Sequence, residues 1–577
     1  MSSPEHRPLN FPLLCVLAVG VGGIAGFGAV LFRWMIGLCH NAVFLGEFSI
    51  HYNANTHTAA SPWGWGIIIV PVLGAICVAF LVKTFAPEAK GHGVPEVMDA
   101  IWYNRGVIRP VVAVVKSVAS AISIGTGGSV GREGPIVQIG AAFASSLGQW
   151  VPMPAFQRSW LIAAGAGGGI AATFNTPIGG MLFAIELMLP SVRARSLLIV
   201  ALGSAVASWI GTWFLGVDPA FNIPEIAIPA HHPLNPYVLP VLIISGIVFG
   251  LMAALFNRSI YWTEDLFDSI PGNYYTRHCL GMLIVGIMMY VMIRWSGHYY
   301  IQGVGYATVV DVLNGELKVV GFLVLLAFLK LAATCLTLGS GASGGVFSPS
   351  LFIGATLGGS IGLTANALIP GFQASPTLFA VAGMAAMVGG TTGALPMAVV
   401  MVFEMTQDFN AVLPVMIVSG ICYAVRHRLV PPSVYTLKLL RRGHYVPSAM
   451  VADMADACPA SSVMSDRFRL VAVSDQAATF RPGPELLVYH EGSRLTGTSG
   501  DGPDSGENDP QAGPLGEPVT VNESTSLRDV LIRLNEASAR VALVIPEGRP
   551  MEPDQITGYV SLEMLARAIG STANLQQ

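Results

Sequence analysis

Charged side chains are scarce in this sequence. Of its 577 residues, 30 are Lys or Arg and 34 are Asp or Glu, so 11% are charged, against about 25% in an ordinary soluble domain. Hydrophobic residues make up 53%, and apolar stretches recur from Phe11 to Tyr423, several of them near the ~20 residues that cross a bilayer. The composition excludes a soluble globular protein and predicts a multi-pass membrane protein.

Cysteine is also scarce. The seven cysteines are scattered and include no C-x-x-C pair, so they do not form the framework of a small secreted protein, and we expect reduced thiols. No H-E-x-x-H metal motif is present. We expect no bound metal, no cofactor and no enzymatic activity, and the charge pattern does not suggest nucleic-acid binding.

The charges are unevenly placed, which divides the chain. Residues 441–577 carry 11 Arg and 18 acidic residues, so a soluble tail should follow a membrane domain of residues 1–440. Basic residues gather at the junction, among them Arg426, Arg428 and Lys438. The positive-inside rule therefore places the junction and the tail in the cytoplasm.

The tail itself has two predicted parts. Residues 441–517 are expected to be a cytoplasmic segment with a flexible linker, because positions 498–518 are rich in Gly, Pro, Ser and Asp. Residues 518–577 alternate short apolar and helical runs in the order β-α-β-β-α. This pattern predicts a small α/β domain.

The apolar spans are irregular. The first run, Phe11 to Val30, is longer than the hydrophobic core of a signal peptide. We interpret it as a membrane helix that is retained rather than cleaved off. Val111–Ile124, Ile136–Leu147 and Leu161–Leu189 are short or broken by Gly and Pro. Non-helical backbone at membrane depth is tolerated only when it is buried in protein or lines a cavity. We therefore expect these segments in the interior of the membrane domain, away from lipid.

An internal repeat is visible in the membrane part. Gly125–Pro135 aligns with Gly339–Pro349 at an offset of 214 residues, with matching Gly, Ser and Pro, and at an offset of 218 Glu186 meets Glu404. Repeats of this kind are frequent in transporters and place the substrate site between the halves. We therefore predict a duplicated membrane domain with its site at the repeat interface.

Three glycine-rich stretches end in proline: Gly91–Pro95, Gly131–Pro135 and Gly345–Pro349. Pro is favoured in the first turn of a helix, and glycine lets the chain before it turn tightly. Each stretch can therefore open a helix whose bare N–H groups attract anions. Such partial charges release an anion more readily than a full charge would, so we predict an anion pathway without a buried Lys.

Glu133 is the only carboxylate between Gly125 and Gly140. A carboxylate at an anion-attracting helix start can occupy the anion position while it is ionised and swing away when it is protonated. The alternative is an ordinary surface pair with Arg132.

These motifs resemble the CLC family of chloride channels and chloride/proton antiporters. Gly131–Pro135 is similar to the family's G-[KR]-E-G-P, Gly345–Pro349 to G-x-F-x-P, and Gly91–Pro95 to G-S-G-x-P. Phe174–Pro177 and Glu404–Thr406 follow in the expected order, and the resemblance covers most of residues 10–440. It implies an all-α, inverted-repeat fold with broken helices, a homodimer, and a place in the cell membrane, the inner membrane of a bacterium.

The resemblance also implies residue roles. Glu133 would be the gate, amides near Arg132 would face an outer site, and amides of the third motif with a tyrosine hydroxyl would hold a central anion. From the residues alone, Tyr435 is equally an anchor at the membrane interface. The implied anion-binding residues are His92, Gly93, Val94, Arg132, Gly134, Val346, Phe347 and Tyr435.

Two departures from the family pattern matter. His92 replaces the common Ser of the first motif, and it either donates an N–H to an anion or packs outside the pathway. Leu187 replaces the second of two paired glutamates, the internal proton relay of the antiporters, and Glu186 points about 100° away on a helix. The sequence therefore favours voltage-driven, channel-like anion conduction gated by Glu133. The alternative is a chloride/proton antiporter with a non-standard internal proton path.

The tail resembles a cystathionine-β-synthase-type (CBS) regulatory domain, in a single copy from Pro518 to Ile569. Pro459–Phe480 offers a start for an earlier copy but no helix and strand set to complete it. A pair of copies normally frames a nucleotide cleft, so a single copy argues against adenine-nucleotide binding without excluding it.

One short motif is also found in a different class of protein. Gly341–Gly344 reads Gly-Ala-Ser-Gly, as in intramembrane serine proteases, but such an enzyme needs a His base near the serine. No His lies between Ser343 and His427. The repeat partner at Gly127–Val130 explains the segment better.

Overall fold

The computed structural model describes most of the membrane part and several segments of the tail. The described residues are 7–190, 192–217, 219–221, 237–372, 374–444, 446, 458–472, 486–491, 494–499, 519–537, 539–548, 552–562, 564–565 and 568. Two compact units are present, one of residues 1–189 with 193–444 and one of residues 190–192 with 445–577. The membrane unit thus ends four residues after the boundary at 440 that the sequence suggested.

The membrane unit is helical throughout its described residues. Its first half contains α1 (Phe11–His40), α2 (Val70–Phe85), α3 (Val94–Trp102), α4 (Pro110–Gly125), α5 (Glu133–Trp150), α6 (Ala155–Phe174), α7 (Pro177–Leu187) and α8 (Ala194–Leu215). Its second half contains α9 (Val238–Ser269), α10 (Tyr274–Ser296), α11 (Tyr306–Leu313), α12 (Val320–Ser340), α13 (Phe347–Leu368), α14 (Pro376–Thr392), α15 (Leu395–Thr406), α16 (Val412–Leu429) and α17 (Val434–Arg441). Eight segments among the described residues are long and apolar enough to cross a membrane, which confirms the multi-pass prediction.

Glycine and asparagine end the helices where the sequence predicted breaks. The expected span Leu161–Leu189 is in fact two helices, because Asn175 ends α6 in the left-handed conformation with φ of 55° and Pro177 opens α7. The second half repeats this break at Gly393, with φ of 82°, between α14 and α15. Asn and Gly are the residues that tolerate this conformation at a helix end.

The two halves have the same helix order, α1–α8 corresponding to α9–α16, and they touch through reciprocal contacts. The Glu186 carboxylate accepts the N–H of Met397 at 2.7 Å, and the Glu404 carboxylate accepts the N–H of Gly179 at 2.6 Å. Both pairs are related by the offset of 218 residues. Exchanged contacts between equivalent residues require a two-fold relation between the halves, and the predicted inverted-repeat fold is confirmed.

Close helix packing within each half depends on glycine. A side chain on Gly140 would collide with the carbonyl of Gly165, and one on Gly165 would collide with the carbonyl of Gly140. The same mutual contact recurs between Gly354 and Gly383 in the second half. Small residues let membrane helices approach closely without a hydrophobic driving force between them. Here they allow α5 to pack on α6 and α13 to pack on α14.

The tail unit contains two three-stranded sheets. The first consists of β1 (Phe468–Ala472), β2 (Leu486–Glu491) and β3 (Arg494–Ser499), and the second of β4 (Val519–Asn522), β5 (Val541–Ile545) and β6 (Gly558–Ser561). In each sheet the first two strands are parallel and the third is antiparallel to the second. Helix α18 (Leu527–Glu536) connects β4 to β5.

The sequence analysis expected no helix and strand set that would complete an earlier copy in Pro459–Phe480. Strand β1 lies in that stretch and forms a sheet with β2 and β3 beyond it, so the structure adds strands that the sequence did not predict. The first sheet repeats the strand order and directions of the second, and parallel neighbours of this kind need a crossover connection. The stretch that would hold the crossover, 473–485, lies outside the described residues, as does 500–518 of the predicted linker. Sequence reasoning missed this sheet because strand β1 is short and interrupted by Arg469.

The two sheets share a core. Leu486 and Val488 of the first sheet pack with Val541 and Leu543 of the second, and the backbones of Ser465 and Tyr559 exchange two hydrogen bonds of 2.9 Å. The sheets thus bury apolar side chains against each other, and neither is an isolated element.

The tail should be separable from the membrane unit. Arg442 donates to both carboxylate oxygens of Glu96 at 2.7 and 3.0 Å, and His444 contacts Asp99 at 2.5 Å, so both residues belong to the membrane unit. Truncation after His444 should leave a monodisperse protein that keeps the anion flux expected from the sequence. Its thermal midpoint should lie within about 3 °C of the full chain, a shift equivalent to ~1 kcal/mol.

Truncation after Pro432 is the matched control. It also removes α17, and it should abolish anion flux. Aggregation of the chain cut after His444 would show that the tail is needed for the membrane unit to fold.

Candidate anion pathway

The three predicted helix starts meet at the repeat interface. Gly91 donates its N–H to the Ala342 carbonyl at 3.0 Å, and Gly344 donates to Gly91 at 3.3 Å, which joins the first and third stretches. Gly131 and Gly345 exchange two hydrogen bonds of 2.7 Å, which joins the second and third. The structure thereby brings the starts of α3, α5 and α13 together.

Glycine is required for this convergence. A side chain at Gly134 would collide with the carbonyl oxygen of His92, and a Cβ at Gly345 would lie 2.8 Å from the Gly134 nitrogen. Gly93 has φ of 84°, a conformation that other residues rarely adopt. The loops can therefore approach within backbone contact only because these positions lack side chains.

A fourth helix start joins the site, and sequence reasoning missed it. Gly303 and Gly305 have φ of 52° and 79°, like Gly91 and Gly93, and they precede α11 as the latter pair precedes α3. The two stretches are related by an offset of 212 residues, a signal that was present in the sequence. It was overlooked because the second-half stretch has no Pro after Tyr306.

Glu133 lies inside this cluster and is only 2% exposed. Its Oε2 accepts the backbone N–H of Ser348 at 3.4 Å, and its Oε1 accepts the hydroxyl of Tyr306 at 2.6 Å and the hydroxyl of Ser348. The carboxylate therefore occupies the position at the start of α13 where an anion would be held. It is not a surface partner of Arg132, whose guanidinium lies 5.3 Å from the centre of the Tyr306 ring.

The residues expected to hold a central anion are all buried or nearly so. The N–H groups of Val346 and Phe347, where α13 begins, donate no hydrogen bond to any described residue. Tyr435 is 2% exposed in α17, which packs against α3, and its hydroxyl makes no hydrogen bond within the described part of the chain. These groups remain available to an anion, and their role stays a prediction.

The predicted residues of the first motif also lie at this cluster. His92 is 4% exposed, and its Nδ1 has no hydrogen-bond partner among the described residues. Gly93 caps α3, and Val94 is its first residue. A buried polar atom without a partner usually signals an unseen water or ion, which favours the anion-donor alternative for His92 over simple packing.

A cavity of about 270 Å³ is lined by Arg132 and by Tyr306, whose hydroxyl bonds Glu133. Arg33 and Arg132 contribute positive charge to its lining, Asn55 and Asn175 contribute amides, and Tyr306 forms part of its wall. No acidic side chain lines it among the described residues. A vestibule with charge of one sign concentrates oppositely charged ions, so this cavity would draw anions toward Glu133.

Two buried lysines lie beside the loops that precede α3 and α11, and the sequence analysis did not predict them. Lys116 donates to the carbonyls of Ala89 and Gly91 at 3.0 and 2.7 Å, and Lys330 donates to those of Ile301 and Gly303 at 3.0 and 2.7 Å. Both are fully buried. They donate hydrogen bonds to loop carbonyls that accept none from a helix backbone, since buried backbone acceptors need a donor. The offset of 214 that relates them could have revealed the pair.

The residues relevant to proton movement lie on α7. Leu187 is buried and cannot carry a proton. The carboxylate of its neighbour Glu186 is bound to the N–H of Met397, so it caps α15. Its hydrogen bond there agrees with the expectation that Glu186 is a poor substitute for a relay at position 187.

Ser343 has no protease-like surroundings. Its hydroxyl donates to the Ala89 carbonyl at 2.8 Å and contacts the Ser120 hydroxyl at 2.8 Å. Ala89 lies just before the first glycine-rich stretch, and Ser120 lies in α4. Its hydrogen-bonding capacity is used to hold the loops, which agrees with the repeat explanation of this segment.

A broken-helix inverted repeat with anion-attracting helix starts at its centre defines a membrane anion-transport protein. The sequence profile described as "Voltage gated chloride channel" matches residues 74–427. A relative from Vibrio parahaemolyticus, named H(+)/Cl(-) exchange transporter ClcA, is 31% identical over 417 residues, covering 70% of this chain and 84% of the relative.

Solved structures show the same fold. A slow cyanobacterial Cl-/H+ antiporter superposes with a TM-score of 0.63 at 24% identity, over 75% of this chain and 98% of its own. A eukaryotic CLC transporter superposes with a TM-score of 0.63 at 19% identity, over 96% of this chain and 98% of its own. The chain belongs to the CLC family, as the resemblance in its sequence indicated, and it transports anions across a membrane.

The close approach of the loops can be tested with Gly134→Ala. Overpacking a close-packed interior costs about 1–3 kcal/mol and sometimes more, and the added methyl group meets a rigid backbone carbonyl. We expect a lower thermal midpoint and loss of most anion flux. The matched control is Gly420→Ala in α16, where no atom lies within 4 Å of the added Cβ. Unchanged stability and flux in Gly134→Ala would contradict the close approach.

Proposed function

We propose that this protein exchanges chloride for protons and that Glu133 is the gate for both ions. The sequence favoured channel-like conduction because of Leu187. The similarity to named H(+)/Cl(-) exchange transporters supports the antiporter alternative better. No enzymatic step, metal or cofactor enters this proposal.

The observation that carries the proposal is the position of the Glu133 carboxylate at the start of α13. An ionised carboxylate and a chloride ion compete there for the same N–H groups, so one excludes the other. A proton that enters from the vestibule neutralises Glu133, weakens its hold on the helix start and lets chloride take its place. Return of the carboxylate, with release of the proton, displaces the chloride. Competition for one position thus couples the two ions.

His92 is the proposed specificity element of the central site. With its Nδ1 protonated and otherwise unpartnered, the ring can donate one hydrogen bond to an anion held near Val346, Phe347 and Tyr435. A ring N–H is a neutral donor in a fixed direction, unlike the freely rotating hydroxyl of a serine. The preferred anion should therefore depend on this side chain.

Proton release toward the cytoplasm takes a non-standard route in this proposal. Leu187 offers no titratable group, and Glu186 is engaged at α15. Water or other side chains must carry the proton, because a bare charge in hydrocarbon is costly. We expect slow exchange for this reason.

We further propose that the protein is a homodimer and that its tail lies in the cytoplasm and modulates transport. The basic cluster at the end of α16 supports this orientation. The two sheets of the tail, with matching topology, revive adenine-nucleotide binding as a hypothesis. Isothermal titration of the full-length protein with ATP measures it directly.

The exchange itself can be tested with purified protein in liposomes. An outward chloride gradient, imposed without a pH gradient, should drive protons inward at a fixed stoichiometry and thereby build up a pH gradient. Chloride flux that sets the membrane potential without any proton movement would contradict the exchange proposal and support the channel alternative. Empty vesicles and a protonophore control separate coupled transport from leak.

Glu133→Gln should abolish the coupling. Gln mimics the protonated carboxyl in size and charge, so chloride flux should persist, lose its dependence on pH and move no protons. The matched control is Glu88→Gln, at an exposed carboxylate paired with Arg109, which should behave like the wild type. A wild-type pH profile in Glu133→Gln would remove Glu133 from the gating role.

His92→Ser should change anion preference while leaving coupling intact. We expect the ratio of nitrate to chloride flux to change by about tenfold, which is the effect of ~1.4 kcal/mol from one hydrogen bond to a charged group. The flux ratio in liposomes measures this effect. An unchanged ratio would mean that His92 packs outside the pathway.

A further inference from the structure

We propose that the hydroxyls of Tyr306 and Ser348 form a clamp that holds Glu133 in its closed position and sets the pH at which the gate opens. The inference rests on the proposed gating role of Glu133 and assigns two positioning residues to it. Neither residue was among those that the sequence singled out.

Tyr306 is fixed so that only its hydroxyl can act. The residue is 2% exposed, and Phe221 packs edge-on against its ring with centroids 5.3 Å apart and an interplanar angle of 88°. Phe174 contacts the ring from another side at 6.3 Å, and the Arg132 guanidinium lies 5.3 Å from its centre. The hydroxyl projects from this packed ring onto Glu133 Oε1 at 2.6 Å.

Ser348 approaches the same oxygen and, like Tyr306, belongs to the second half of the repeat. It is the second residue of α13 and is fully buried. Its hydroxyl bonds Glu133 Oε1 and lies 2.6 Å from the Tyr306 hydroxyl, while its N–H faces Oε2. The two hydroxyls therefore converge on one carboxylate oxygen, while the helix start takes the other.

The asymmetry of the repeat indicates that this arrangement is specific. Residues equivalent to Tyr306 and Ser348 in the other half are Val94, at an offset of 212, and Gly134, at an offset of 214. Neither Val nor Gly carries a hydroxyl. The fold can thus form the same helix starts without these groups, so they are not required by the backbone geometry.

The physical consequence concerns the charge of Glu133. Hydrogen bonds from neutral donors are stronger to an ionised carboxylate than to a carboxylic acid. Two additional donors therefore favour the ionised, docked state over the protonated, displaced state. Opening then requires a higher proton concentration than the amides of the helix start alone would demand, and turnover at neutral pH is slower.

The test uses Tyr306→Phe, Ser348→Ala and the double variant in liposome chloride flux measured across pH. Each single variant should raise flux at neutral pH by about tenfold and move the half-maximal pH upward by about one unit, since each tenfold step corresponds to ~1.4 kcal/mol. The double variant should shift further. Unshifted profiles in all three variants would overturn the clamp.

Two control variants delete buried hydroxyls away from Glu133. Ser360→Ala removes a bond to the Leu357 carbonyl within α13, and Tyr299→Phe removes a bond from the Ser61 amide. Both should keep the wild-type pH profile. If they shift it as strongly as the clamp variants do, the effect is general loosening, and the clamp is wrong.

The Glu133→Gln background separates this inference from the proposed function. There, Tyr306→Phe and Ser348→Ala should add no shift, because the charge on which they act is absent. If Glu133→Gln alone retains pH dependence, the gating proposal fails. If it loses pH dependence while the clamp variants leave the profile of wild-type Glu133 unchanged, only the clamp fails. A variant that does not fold leaves the other single variant to decide.

Discussion

The convergence of four helix starts at the repeat interface is the constraint on which the rest of the structure depends. In a water-poor interior the N–H groups of a helix start need an acceptor, and at the start of α13 the Glu133 carboxylate accepts the N–H of Ser348. Bringing the starts together forces backbone against backbone, which only glycine at positions such as Gly134 and Gly345 allows. The carbonyls of the same loops then need donors of their own, and the buried Lys116 and Lys330 supply them.

The two-fold repeat builds this scaffold twice, and the differences between the halves make it functional. Glu133 is equivalent to Phe347, and Gly134 to Ser348, at the offset of 214 residues. The first half thus contributes the carboxylate, while the second contributes the groups that bind it. A fully symmetric pair of halves would hold either two such carboxylates or none. Divergence at a few positions, with the backbone preserved, is enough to place a single carboxylate among the helix starts.

The same geometry explains why channel and antiporter are close alternatives in this fold. A carboxylate that competes with chloride for one position couples the two ions only if its proton can also leave on the other side. Leu187 removes the usual means of doing so, and Glu186 is held at the start of α15. Whether exchange or conduction results therefore depends on proton access to a site whose anion chemistry is the same in both cases.

Much of this protein follows from local sequence. The scarcity of charge, the apolar spans, the glycine-rich stretches ending in Pro and the internal repeat sufficed to predict the class and the inverted repeat and to single out Glu133 at one helix start, because helix starts and repeats leave signals in contiguous residues. The first sheet of the tail was missed, since short strands such as Phe468–Ala472 are recognisable only once they pair. Lys116, Lys330, Tyr306 and Ser348 were missed because their partners are distant in sequence. Only folding brings a hydroxyl of α11 and a hydroxyl of α13 onto one oxygen of Glu133.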